Sequence, residues 1–239
     1  MKFKNSFFIL MPFVFVAFGF YLKAQDEGED ILLKAINVSL QNAHYDPVAI
    51  NDEFSSKSYE LYLDNIDPNK RLLLKSNVDE LEKYKLLIDD ETKEGTYEFF
   101  NKSLQIIDNQ TVLTESFFNE LLSSPFDFTK KESAVFGDNI QYVNSIEALK
   151  ERWRKYLKYN VLTRLHSSIL AQEKSIENGD SGFVALPFDS LEAKARNGVL
   201  NMHKDWYARI KRLERKDRLA VYINSLTSVY DPHTNYFPP

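Results

Sequence analysis

The chain has 239 residues, with 30 Lys and Arg against 35 Asp and Glu, a formal net charge of −5. That acidic balance argues against nucleic acid and against anionic membrane surfaces as partners. The absence of Cys excludes a disulfide framework, a thiolate metal site and a lipidated cysteine anchor, and a total of only 7 Gly speaks against a turn-rich β architecture.

Lys2 and Lys4 precede an almost wholly apolar segment from Phe7 to Leu22, which leads through Lys23-Ala24-Gln25 into the acidic run Asp26-Glu27-Glu29-Asp30. This is the pattern of a secretory signal. It predicts a signal peptide over residues 1–24 and a periplasmic location. Leu22 occupies the third position before the cut, where a small residue is expected, so an uncleaved anchor remains the alternative. The apolar run is nevertheless short against the roughly 20 residues that span a bilayer. Without the leader, 27 basic residues face 35 acidic ones, a balance of about −8.

Past the leader, apolar residues recur every three or four positions, the helical period. Leu32, Ile36, Leu40 and Ala43 form one stripe, closed by His44-Tyr45-Asp46-Pro47. Asp52 is placed to cap a second helix with Phe54, Ser58, Leu61, Tyr62 and Ile66 on one face, and Asp67-Pro68-Asn69-Lys70 ends it. Leu72-Leu73-Leu74 reads as extended. Ser76 with Asp79 resembles a capping box for a helix bearing Val78, Leu81, Tyr84 and Ile88.

Gly95 separates a helix holding Tyr97, Phe100, Leu104 and Ile107 from what precedes it, and a short helix with Phe117, Phe118, Leu121 and Leu122 follows. Residues from Ser123 to about Asn144, with Pro125, Phe126 and Phe128, read as irregular. The strongest helix starts near Ser145, with Leu149, Trp153, Tyr156, Leu157, Asn160, Val161, Arg164 and Ile169 on one side. A mobile loop is expected from about Ser175 to Pro187. A long helix then runs from Asp189 to about Arg215, with Val199, Met202, Trp206, Ile210 and Leu213 inward. Asp217 is placed to cap a last helix with Leu219, Tyr222, Ile223 and Leu226. No fixed period recurs, which excludes a helical repeat array. The fold class expected is all-α, one irregular multi-helix domain preceded by a signal peptide.

Catalytic patterns are missing. There is no Gly-x-Ser-x-Gly and no Ser-x-x-Lys. His44, His166, His203 and His233 are far apart with no His-x-x-x-His pair, and read as surface or turn histidines. Asp89-Asp90 is the pair most open to a general acid/base role, but beside a helix end and a Gly it reads as ordinary solvated carboxylates. The basic run Arg209, Lys211, Arg212, Arg215, Lys216 and Arg218 reads as a charged outer face around Ile210 and Leu213. No catalytic, cofactor-binding or metal-binding residue is assigned. The 18 Phe and 13 Tyr must mostly fill core, although a helical domain rich in both can also offer unfolded polypeptide a greasy concave face.

The segment Asp231-Pro232-His233-Thr234-Asn235-Tyr236-Phe237-Pro238 resembles the junction that precedes the PDZ domain in tail-specific proteases, the carboxyl-terminal processing peptidases. His44-Tyr45, Phe54-Ser55 with Lys57, Tyr62-Leu63-Asp64-Asn65-Ile66-Asp67, Leu73-Leu74 with Val78, and Pro125-Phe126-Asp127-Phe128 are similar to that family's helical N-terminal domain, in the same order. The resemblance covers about residues 30 to 239. It implies a helical N-terminal domain over 25–230 and a junction over 231–239. It further implies polypeptide substrates with exposed C-termini, and a Ser/Lys dyad that lies beyond the PDZ domain. His233 is then a structural residue of the joint. With the sequence stopping at Pro239, the expectation is a substrate-handling domain truncated before the PDZ and catalytic domains and inactive alone. Its partner would be the missing protease portion or an adaptor. The alternative is a free-standing exported helical adaptor without a proteolytic role.

Overall fold

The computed structural model describes residues 28–29, 31–137 and 140–238. The expected signal peptide, residues 1–24, lies outside them. Eight helices make up the described residues: α1 (31–43), α2 (Asp52–Ile66), α3 (Lys75–Glu82), α4 (Ile88–Glu94), α5 (Glu98–Leu121), α6 (Ile146–Glu177), α7 (Phe188–Ile210) and α8 (Arg215–Thr227). One isolated parallel bridge, Leu74 with Val143, accompanies them. The all-α class is therefore correct.

Two cores form, and α5 joins them. The first gathers α1, α2, α3, α4, α8 and the start of α5 around Tyr62, Phe99, Phe100 and Tyr222. Phe100 stacks on Tyr222 at 5.4 Å, and Tyr62 meets Tyr222 edge-on at 5.6 Å. Each such buried aromatic contributes roughly 1.5–3 kcal/mol by leaving water, with about 0.5–1.5 more from ring geometry. The second core holds Phe117 and Phe118 from the end of α5 with Leu149, Trp153, Leu157 and Val161 of α6 and Val199 and Tyr207 of α7. At its base Arg196 pairs with the buried Glu192 at 3.0 Å and donates to the Leu122 carbonyl, fastening α7 to the end of α5.

Local signals set most helix starts, often one residue from where the pattern puts them. Asn51, not Asp52, caps α2, its Oδ1 accepting from Glu53 and Phe54 N–H. Asn77, not the Ser76/Asp79 pair, closes the start of α3 by accepting the Leu74 N–H at 3.0 Å. The helix expected to start near Ser145 is α6, and Ser145 caps it by accepting from the Ala148 N–H. Asp217 is the third residue of α8, and reaches back to the Glu214 N–H at 2.9 Å.

Several lengths differ from expectation. The helix drawn through Val78 and Ile88 is broken into α3 and α4 by turns at 83–87. The helices expected around Phe100 and Phe117 are one, because the hydroxyls of Thr111 and Thr114 bond back to the carbonyls of Ile107 and Gln110 and leave the backbone ladder intact. The helix expected to reach Arg215 stops at Ile210, and four residues separate it from α8. Gly95, at φ +76°, ends α4 in the left-handed geometry that other residues adopt at a cost.

Two carboxylates belong to the first core. Asp89 is buried, not solvated as its place in the sequence suggests. Its Oδ1 accepts from the Ser55 hydroxyl, its N–H donates to the same hydroxyl, and Lys93 closes the site at 2.7 Å. Burial opposes its charge, but Lys93 and Ser55 outweigh that and hold it below the usual carboxylate range. Asp90 alone is exposed. Glu91 is buried and accepts the Phe99 N–H at 3.0 Å, serving as a cap for α5.

Candidate functional site

The chain reverses after α2 through Asp67-Pro68-Asn69-Lys70, and this turn builds one wall of the site. Lys70 takes φ +49°, the one positive φ outside Gly among the described residues. What holds it there is Asp67, whose buried carboxylate accepts the backbone N–H groups of Arg71, Leu72 and Leu73 at 2.7, 3.0 and 2.9 Å. Desolvation raises the pKa of Asp67 in spite of these three bonds. The Trp153 indole N–H donates to the Arg71 carbonyl at 2.7 Å, so α6 grips the same turn. Arg71 is thereby fixed with its guanidinium 3.5 Å from the centre of the Tyr156 ring.

The opposite wall is α7, which presents two apolar faces. The buried one carries Leu191, Ala195, Val199, His203 and Tyr207. The other carries Met202, Trp206 and Ile210, with Leu213 just beyond. Trp206 is 50% exposed and Leu213 46%. Those four residues, read from sequence as core, instead line an open cavity of about 580 Å³ between the two cores. Its floor is Leu104, Ile107 and Thr111 of α5, and both Trp residues of the chain face it.

His203 sits in the wall of this cavity, enclosed by Phe118, Trp153 and Tyr156 at ring distances of 5.5–5.8 Å. It is buried, not the surface histidine its isolation in the sequence suggests. Its Nδ1–H donates to the Val199 carbonyl at 2.8 Å, which makes Nε2 the acceptor nitrogen of a neutral ring. Desolvation lowers its pKa, and the charges of Arg71 and Arg164 act in the same sense. Tyr207 donates to Thr114 at 2.7 Å, and burial raises its pKa to about 12.

A second cleft, about 630 Å³, adjoins the first. It lies under residues 133–136 and 140–145 and along α6, and it is more polar, with Arg152 and Lys155 in its lining. Asn69, Arg71 and Tyr156 belong to both clefts, so the two meet at these residues. Among the described residues no cluster of His, Asp and Glu could hold a metal ion, and no helix is long and apolar enough to cross a membrane.

The residues of the basic run part company. Arg215 makes a bidentate pair with Glu29 and covers the Phe100 ring, Arg218 pairs with Asp108, and Lys211 pairs with Glu115. They tie elements together, as a structural outer face should.

Residues 231–238 return to the first core. Asn224 bonds both backbone groups of Tyr236, Thr227 donates to the Thr234 carbonyl at 2.7 Å, and the Asp231 carboxylate accepts the His233 N–H. Tyr236 packs on the core, whereas Phe237 is 82% exposed. His233 is exposed at the turn, and its ring makes no bond. His44 reaches this segment from the other end of the sequence, its Nε2 3.4 Å from Thr234 Oγ1 and its ring edge-on to Tyr230.

The described residues thus form a helical domain with an open, mainly apolar cavity between its two cores. Its sequence over residues 36–239 matches the family described as the tail specific protease N-terminal domain. The tail-specific protease of Haemophilus influenzae is 21% identical over 223 residues, covering 91% of this chain and 29% of that protein. The chain belongs to the tail-specific protease N-terminal domain family, and it spans less than a third of the length of that relative.

Sequence reasoning named no site residue. The signal it missed is the width of the apolar arc on α7: the Leu191–Tyr207 stripe and the Met202–Leu213 stripe lie side by side, and one neighbouring core covers only the first.

Proposed function

We propose that these residues form the substrate-handling domain of an exported, carboxyl-terminal-processing serine endopeptidase whose PDZ and Ser/Lys catalytic portions lie outside residues 1–239. The groove takes an extended, largely apolar stretch of polypeptide and holds it for a protease core. The observation that carries this is the open cavity of about 580 Å³ walled by Met202, Trp206 and Ile210, in a chain whose family is a protease domain. Exposed Trp and Met beside a cavity are the side chains that accept varied apolar sequences without a fixed register. The apolar segment from Phe7 to Leu22 after Lys2 and Lys4 supports export.

Because both Trp residues face the groove, their fluorescence reports occupancy. Titration of the full chain with a Leu- and Val-rich nonapeptide should shift the emission saturably, and Trp206→Glu should abolish binding with the helical circular dichroism unchanged. The chain alone should not cleave the peptide, and fusion to a PDZ and Ser/Lys core of the family should confer cleavage. Turnover by the unfused chain, or binding indifferent to Trp206→Glu, would overturn the proposal.

A further inference from the structure

Among the described residues no carboxylate pairs with Arg71. Its guanidinium lies against Tyr156 at 3.5 Å and near Trp153 at 5.8 Å. The nearest acidic residue in the sequence, Asp67, uses its oxygens on the backbone N–H groups of Arg71, Leu72 and Leu73. Stacking on a ring occupies one face of a guanidinium and leaves its N–H edge free, and that edge has the geometry of a carboxylate fork. The turn that presents it is held at a left-handed residue, Lys70, by the buried Asp67, and α6 clamps it through Trp153 and through Arg152, which donates to the Lys70 carbonyl. Arg71 is thus a fixed cation on the border of both clefts, stacked on a ring and half-buried.

We propose that Arg71 anchors an acidic side chain of the polypeptide in the groove, so that the preferred ligand is an extended segment with an Asp or Glu between apolar residues. This inference rests on the groove being a polypeptide site. Arg71, Asn69 and Tyr156 line both clefts, so a chain that lies along the two of them passes Arg71 between its ends. An internal carboxylate meets it, and a chain terminus does not. A free anion is disfavoured by the apolar walls of Trp206, Met202 and Ile210, and nucleic acid by the net acidic charge. Arg152 and Lys155 in the second cleft extend the positive field along the same path, and Glu151 beside them is already engaged by Arg154 at 2.7 Å.

The test uses the full chain and dansyl-labelled nonapeptides of Leu, Val and Ala with Glu or Gln at the centre, each with a free and an amidated C-terminus. The Glu peptide should bind about tenfold tighter than the Gln peptide, as a charge-assisted bond requires. Amidation should leave that ratio unchanged. Arg71→Gln should level the two peptides while still binding both, and Arg71→Lys should keep part of the preference. Equal binding of Glu and Gln peptides by the unaltered chain, lost in Trp206→Glu, would overturn the anchor and leave the groove standing. A preference erased by amidation would place a chain terminus at Arg71 and overturn it too. If no peptide binds at all, the groove and the anchor fall together.

Discussion

The side-chain amide of Asn224 pairs with both backbone polar groups of Tyr236, accepting its N–H at 2.6 Å and donating to its carbonyl at 3.1 Å. One residue of α8 thus does for the outgoing chain what a neighbouring strand does in a sheet. With Thr227 on the Thr234 carbonyl and His44 beside Thr234, the segment is attached to both ends of the first core. Asn224→Ala removes both bonds and should cost about 1–2 kcal/mol locally. Amide exchange at Tyr236 should rise by one to two orders of magnitude while the slowest core amides of α5 hold their rates. Unchanged protection at Tyr236 would show that Tyr236 packing alone fixes the joint.

Glu91 gives the domain a pH-dependent stability. Burial raises its pKa from 4.5 to about 7, against the opposing bond from Phe99 and with the help of the Glu98 charge. Between those two values the folded chain holds a proton that the unfolded chain has released. The contribution is complete below pH 4.5 and fades as pH rises through 7. Relative to Glu91→Gln, whose carboxamide does not titrate, the unaltered protein should lose about 2–3 kcal/mol between pH 4.5 and 8. Urea denaturation of both proteins across that range measures it, and parallel curves would show that Glu91 stays ionised throughout.

Tyr222 is fully buried, yet its hydroxyl has no hydrogen-bond partner. Burial pushes its pKa far up, and the neighbouring Glu91 charge adds to this. The ring is what the core needs: it stacks on Phe100 and meets Tyr62 edge-on. Tyr222→Phe keeps the ring and removes an unsatisfied polar atom, so it should stabilise by about 1 kcal/mol. The urea midpoint should rise with the slope unchanged. A drop would mean that the hydroxyl is bonded in solution, with a buried water as the natural partner.

The helical class, the start of α6 near Ser145 and the break at Asp67-Pro68 were legible because each depends on near neighbours in sequence. The family was legible from ordered motifs, and His44 and the Asp231–Pro238 segment, 190 residues apart, prove to touch. What stayed hidden depends on distant partners. Asp89 looks solvated beside a helix end until Ser55 arrives from α2 and covers it. His203 looks incidental until three aromatic rings from α5 and α6 close around it. The groove was hidden for the same reason. Periodicity says that Met202 and Trp206 are apolar and in register, and only the spacing of the two cores decides that nothing packs on them.

Trp206 and Tyr207 are neighbours in α7 with opposite duties, and that contrast separates stability from binding. Tyr207 is 2% exposed, packs on Phe118 at 4.9 Å and donates to Thr114, so Tyr207→Ala opens a cavity and removes the bond that the Thr114 hydroxyl accepts. It should cost about 3–5 kcal/mol. Trp206 is half exposed, and its ring meets Tyr207 edge-on at 5.1 Å. Trp206→Ala should change stability by less than about 1 kcal/mol, yet weaken binding of an apolar nonapeptide at least tenfold, since a buried aromatic anchor is worth about 2 kcal/mol or more at a docking site. Thermal melts paired with peptide titrations of both variants decide the matter. A Trp206→Ala protein that melts much earlier would make Trp206 a core residue, and one that binds as well as the parent would move the peptide away from this wall.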